Sequence, residues 1–94
     1  MKSIRLEKQA DIIKSMAHPT RLLVVEALKK GERCVCELNT LVDIDQSTLS
    51  RHLLILKNAG IITSQKDAQK VYYKLKFPCV LKYMDCINGV LEID

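Results

Sequence analysis

The chain has no tryptophan, one phenylalanine and three tyrosines among its 94 residues, so any core it builds is aliphatic. It has no long apolar run. The longest stretches, Leu22 to Val25 and Leu53 to Leu56, are four residues each, far short of the ~20 that cross a bilayer, which excludes a membrane-spanning helix. Glycine and proline are scarce, at three and two, and no linker, repeat or low-complexity tract breaks the pattern. At this length two separate cores do not fit, so residues 1–94 read as one domain. The start, Met1-Lys2-Ser3-Ile4-Arg5-Leu6, returns to charge after single apolar residues. It lacks the apolar region of a secretory signal, and a cytoplasmic location is expected. There is no C-x-x-C, no βαβ pattern and no general-base constellation, so the chain does not read as a thiol oxidoreductase or any other enzyme. The four cysteines, Cys34, Cys36, Cys79 and Cys86, are expected as reduced thiols available for metal or redox chemistry rather than as a disulfide framework.

What is present is unevenly placed. The net charge is +4 overall, but residues 46–76 hold Arg51, Lys57, Lys66, Lys70, Lys74 and Lys76 against the single acid Asp67. All of the surplus positive charge therefore lies in one third of the chain. Such a block is the electrostatic footprint of a surface that meets phosphates, as well as of an ordinary solvated face, and the motif inside it decides between them.

Leu6, Ala10, Ile13 and Ala17 recur at steps of three and four, the stripe of an amphipathic helix ended by His18-Pro19. Pro19 opens a second helix, apolar through Leu22–Val25, Ala27 and Leu28 and stopped at Gly31. A short helix follows from Cys34 to Val42, with Val35, Leu38, Leu41 and Val42 on one side. After the turn Asp43-Ile44-Asp45, Asp45 reads as the N-cap of a helix from Gln46 to Asn58, buried through Leu49, Leu53 and Leu56 and ended by Gly60. Two short helices so joined spell a helix-turn-helix. Past Gly60 the apolar period changes to two. Ile62, Ser64 and Lys66, then Val71, Tyr73 and Leu75, alternate around Asp67-Ala68-Gln69, predicting a β-hairpin that serves as a wing. Pro78 is expected to start a last helix with Val80, Met84, Ile87 and Leu91 on one seam. That seam needs a cover, from the first helix or from a second subunit. The predicted fold is mainly α with a small β-hairpin, in the order α-α-α-α-β-β-α.

This order resembles the arsenic-repressor (ArsR/SmtB) family of winged helix-turn-helix transcriptional regulators over nearly the whole chain. Ala17-His18-Pro19-Thr20-Arg21-Leu22 is similar to the opening of that family's second helix, Gln46 to Leu53 to its recognition helix, and Val71-Tyr72-Tyr73 to its second wing strand. Arg33-Cys34-Val35-Cys36-Glu37-Leu38 resembles the thiol metal-box of its arsenite, lead and cadmium sensors. Asn39 stands where the arsenite box often has a third Cys, and the wing tip lacks the usual Gly. The resemblance implies a homodimeric repressor on double-stranded operator DNA carrying an inverted repeat. It implies an effector rather than an obligatory cofactor: arsenite or antimonite, or else cadmium or lead.

With Leu49, Leu53 and Leu56 inward, Gln46, Ser47, Thr48, Ser50 and Arg51 face outward at the end of the helix that enters a major groove. Arg grips guanine in bidentate fashion, Gln pairs with adenine, and short hydroxyls reach phosphates or base edges. His52 reads equally as a DNA contact or a packing residue. Lys66 and Lys70 flank the wing tip, where they would hold flanking phosphates. Residues two apart on a regular helix point ~200° from each other, so Cys34 and Cys36 can share an ion only at an irregular helix end. Cys34 at an N-cap position, with Glu37 at capping-box spacing, supplies such an end, and the helix start with Arg33 beside it favours thiolate. Thiolates select soft ions. A third donor is expected from Cys79, Cys86, another subunit or a small thiol. Cys79 and Cys86 read equally as buried small hydrophobes. The last helix has no histidine for a zinc site, and His18 and His52 belong to helix motifs. The expected coupling is direct, with the Cys34 helix packed on the recognition helix. The alternative keeps the DNA-binding half and has the cysteines sense oxidants or reactive sulfur, through a bridge between Cys34 or Cys36 and Cys79 or Cys86.

Overall fold

The computed structural model describes residues 3–92. Helix α1 (Ile4–Met16) is capped by Ser3, whose hydroxyl accepts the Leu6 N–H. Helix α2 (Pro19–Ala27) has Pro19 at its first turn and His18 as N-cap, the imidazole accepting the Thr20 N–H at 3.1 Å. It runs on through a 3₁₀ turn (Leu28–Lys30) and stops at Gly31, whose φ of 138° suits glycine. Then come strand β1 (Arg33–Cys34), helix α3 (Val35–Leu41), helix α4 (Gln46–Asn58), strands β2 (Ile62–Asp67) and β3 (Lys70–Leu75), and helix α5 (Val80–Leu91). The bounds of α4 are those its sequence predicts, and Gly60, at φ 84°, turns the chain out of it.

The buried core is aliphatic, as the shortage of aromatics requires: Val24, Val25 and Leu28 of the second helix and its turn, Leu38 of α3, Leu49, Leu53 and Leu56 of α4, and Ile61, Ile62 and Val80. Helix α4 packs on α1, α2 and β2, which fixes its outer face. Tyr73 and Leu75 pack against this core from the sheet.

The sheet has three strands, in the order β1-β3-β2, all antiparallel. The hairpin is as expected, with Asp67 opposite Lys70 beside a two-residue turn. Strand β1 is an addition: Arg33 pairs with Tyr73 and Cys34 with Tyr72. Two residues show no alternation, so only pairing with a distant strand reveals them. Ala68 takes φ 59° at the wing tip, where glycine is absent.

Some expectations are corrected. Helix α5 begins at Val80 instead of Pro78, because Phe77, Pro78 and Cys79 form tight turns whose carbonyls accept the N–H groups three residues on. Leu41, expected inward, is exposed at the end of α3. In α1, Leu6 and Ile13 are likewise exposed in the single chain. The backbone of α3 runs beside β1 and β3 and meets α4 through the core that holds Leu38 and Leu49. The cysteines therefore adjoin the wing sheet as well as the helix-turn-helix.

Candidate nucleic-acid interface and thiol pair

The outer end of α4 is organised by Asp45. Its carboxylate accepts the Thr48 N–H at 3.1 Å, the Thr48 hydroxyl at 2.7 Å and the Ser47 hydroxyl. These bonds, from Ser47 first and then Thr48, pull the Asp45 carboxyl down to about 2. Asp45 therefore stays ionised, and it occupies both hydroxyls expected to reach DNA. Gln46, Ser50 and Arg51 remain exposed on the same end, and Lys66 and Lys70 are exposed on the two wing strands.

His52 faces elsewhere. Its Nδ1 accepts from Arg21 Nε at 3.1 Å, and its ring lies on His18 with centroids 4.5 Å apart. Arg21 also donates to the Ser15 carbonyl at 3.2 Å, so one guanidinium ties α1 and α2 to the recognition helix. Partial burial, and then the charges of His18, Arg21 and Arg51, hold the His52 imidazole below its ordinary 6.5. Arg21 was missed as a positioning residue. Its signal was a long polar side chain opening an otherwise apolar helix.

Cys34 is the N-cap of α3 and is only 3% exposed. Its Sγ accepts the Glu37 N–H at 3.3 Å while Glu37 Oε1 accepts the Cys34 N–H at 3.2 Å, the capping box read from the spacing. Arg33 steadies the arrangement, donating to Glu37 at 3.2 Å and to the Ala27 carbonyl at 2.7 Å. The expectation of four free thiols is corrected here: Cys34 and Cys36 are bonded to each other, their Cα atoms 5.2 Å apart. The change of backbone direction from strand to helix at this point brings together two sulfurs that a regular helix would hold apart. Cys79 and Cys86 are free thiols and are exposed, so the alternative of buried small hydrophobes is also corrected. Among the described residues no third His, Cys, Asp or Glu joins a group able to hold a metal ion.

The cysteine pair and the outer end of α4 open onto one groove of about 610 Å³. Cys34, Cys36 and Asn39 form one side, Gln46 and Ser50 another, and Gln69, Lys70 and Tyr73 the wing side. A second groove, about 420 Å³ and almost wholly apolar, runs between α1 and α5. Ile12, Ile13 and Met16 face Tyr83, Met84 and Ile87 across it. No helix of the described residues is long and apolar enough to cross a membrane.

Comparison with known proteins matches this arrangement. The chain is 39% identical over 71 residues to the biofilm growth-associated repressor of Agrobacterium fabrum, covering 76% of this chain and 61% of that protein. It is 36% identical over 83 residues to the arsenic resistance transcriptional regulator ArsR1 of Pseudomonas putida, covering 86% and 64%. The chain thus spans a little over three fifths of either relative. The solution structure of the homodimeric winged helix-turn-helix DNA-binding domain Mb0332 from Mycobacterium bovis superposes with a TM-score of 0.80 at 25% identity, over 97% of this chain and 88% of that one. The family description "Bacterial regulatory protein, arsR family" fits residues 18–64, from the His18 cap of α2 through the recognition helix into the wing. With half of its length matched and its helices and wing in the order the sequence predicts, the chain belongs to the arsR family of bacterial regulatory proteins.

Proposed function

We propose that the protein is a homodimeric repressor acting in the cytoplasm, bound to an inverted-repeat operator and switched at Cys34 and Cys36. Arg51 and Gln46 read bases, Ser50 assists, and Lys66 and Lys70 hold phosphates. Ser47 and Thr48 contribute chiefly by shaping the helix start through Asp45, and His52 by holding the helix to Arg21. Helices α1 and α5 supply the dimer contact, since their facing apolar side chains lie open in one chain and the similar Mycobacterium domain is homodimeric. Two recognition helices then meet the DNA one turn, ~34 to 36 Å, apart.

The observation that carries the switch is the shared groove, with the cysteine pair on one wall and Gln46, Ser50 and Lys70 on the others. Reduced, the two sulfurs are a vicinal pair of soft donors suited to arsenite or antimonite, or to cadmium or lead. A small thiol completes the set, Cys79 and Cys86 standing outside any such group. An arsenic regulator among the relatives supports this reading. A second reading rests on the bond between the sulfurs themselves: an oxidant or reactive sulfur species closes Cys34 onto Cys36, with no partner needed from α5.

Fluorescence anisotropy tests both, with an inverted-repeat duplex selected by the protein from a random library. Reduced protein binds it in a salt-sensitive manner, and Arg51→Ala costs about 1 to 3 kcal/mol per half-site. Arsenite releases the DNA, and Cys34→Ser or Cys36→Ser abolishes release. Release by peroxide or polysulfide alone, with a mapped Cys34–Cys36 bridge, establishes the second reading. Equal affinity for selected and random duplex at every salt concentration overturns the repressor reading itself.

A further inference from the structure

The two bonded sulfurs are unequal. Cys34 Sγ lies under the cap, 3% exposed and in contact with the Glu37 N–H, whereas Cys36 is exposed on the wall of the 610 Å³ groove. An incoming thiolate attacks whichever sulfur it can reach, and the other leaves. The groove has the size of a small-molecule site, roughly 300 to 1,000 Å³. It offers the Lys70 ammonium and the amides of Asn39, Gln46 and Gln69 to a polar, anionic occupant.

We propose that Cys36 is a site of S-thiolation by a low-molecular-weight thiol bearing carboxylates, and that the adduct fills the groove between the recognition helix and the wing. The thiolate forms an S–S bond to Cys36 Sγ and the Cys34–Cys36 bond breaks. Its electron pair goes to Cys34 Sγ, which leaves as thiolate within reach of the Glu37 N–H and takes a proton from solvent. The disulfide is the only oxidising equivalent consumed. The adduct then places negative charge where Gln46, Ser50 and Lys70 would meet DNA, so it competes with operator directly. This step rests on the operator-binding reading above.

The test uses the full chain carrying Cys79→Ser and Cys86→Ser. The oxidised protein is treated with limiting glutathione, quenched in acid and peptide-mapped; the mixed disulfide should fall on Cys36. In added Cys34→Ser and Cys36→Ser backgrounds, oxidised glutathione should modify Cys36 about tenfold faster than Cys34. In the Cys34→Ser background, where Cys36 is a free thiol, Lys70→Ala should slow addition from oxidised glutathione but leave addition of a neutral methylthio group from methyl methanethiosulfonate, with methanesulfinate leaving, unchanged. The glutathione adduct should weaken operator binding about tenfold or more, and the methylthio adduct about twofold or less. Mapping to Cys34, equal rates at the two cysteines, or equal effects of the large and small adducts overturns the proposal. The acid-quenched arm changes neither bonded cysteine, so it decides the site even where a substitution unfolds the chain. Reduced protein without operator affinity sinks the repressor reading and leaves the map of the adduct to stand or fall separately.

Discussion

Cys34 carries two roles that substitution can separate. It is the N-cap of α3, its sulfur accepting the Glu37 N–H at 3.3 Å beneath the surface, and it is one half of the bonded pair. Serine keeps an acceptor at the cap and loses the sulfur; alanine loses both. In reducing buffer, where the disulfide makes no contribution, Cys34→Ala should cost about 1 kcal/mol, within the 0.5 to 2 typical of a lost cap, because the Glu37 N–H is left without its partner. For a domain of this size that lowers Tm by roughly 4 to 8 °C, whereas Cys34→Ser should stay within about 2 °C of the parent. Without reductant the parent gains a further increment. A bridge two residues apart closes so small a loop that chain entropy supplies only about 1.6 kcal/mol. Thermal melts at one fixed protein concentration, with and without reductant, read all three quantities. Equal melting of the alanine and serine variants under reduction would refute the capping argument. An oxidised parent stabilised by several times that increment would refute the loop argument.

Other outcomes follow from the same geometry. Because folding holds His52 below 6.5, the folded state binds fewer protons than the unfolded one. Its contribution to stability is complete above pH 6.5 and is lost as the pH falls toward the depressed value; an NMR titration of His52 with its midpoint at or above 6.5 would contradict this. Ile87 is 54% exposed on the apolar seam of a single chain, so Ile87→Glu should leave the fold intact but yield monomer in sedimentation at micromolar concentration. An unchanged dimer would place the contact elsewhere. Ala68→Gly should relieve the left-handed strain at the wing tip, which costs an alanine about 1 to 2 kcal/mol. After the extra unfolded-state freedom of glycine is subtracted, a gain of about 0.5 to 1 kcal/mol remains. Denaturant melts with a lowered midpoint would count against it.

Much of the molecule was legible because it is written in local patterns. The Leu49, Leu53, Leu56 spacing and the Asp45 cap set the bounds and inner face of α4, and the Cys34/Glu37 spacing located the start of α3. What escaped was set by distant partners. Strand β1 exists because Arg33 and Cys34 meet Tyr73 and Tyr72 some forty residues on. His52 is turned by Arg21, 31 residues away. The hydroxyls of Ser47 and Thr48 look free in sequence, yet the preceding carboxylate holds both. The stripes of α1 and α5 were read correctly as apolar. Leu6, Ile13 and Ile87 nevertheless lie exposed in the single chain, because periodicity marks which face of a helix is apolar and not what covers it.

The pairing of Cys34 with Tyr72 makes the wing a lever. Strand β3 is held on both sides at Tyr72 and Tyr73, but from Val71 outward only β2 supports it. The three residues from Tyr72 to Gln69 reach about 10 Å at ~3.3 Å per residue. A tilt of about 10° at that fulcrum would displace Gln69 at the tip by nearly 2 Å and Lys70 by about 1 Å, enough to stretch a hydrogen bond to a phosphate beyond its normal range. If the cysteine pair is the switch proposed above, chemistry at one sulfur would be geared up to the scale on which a protein holds or drops DNA. The short strand that hides so well in the sequence would be the pivot about which that gearing turns.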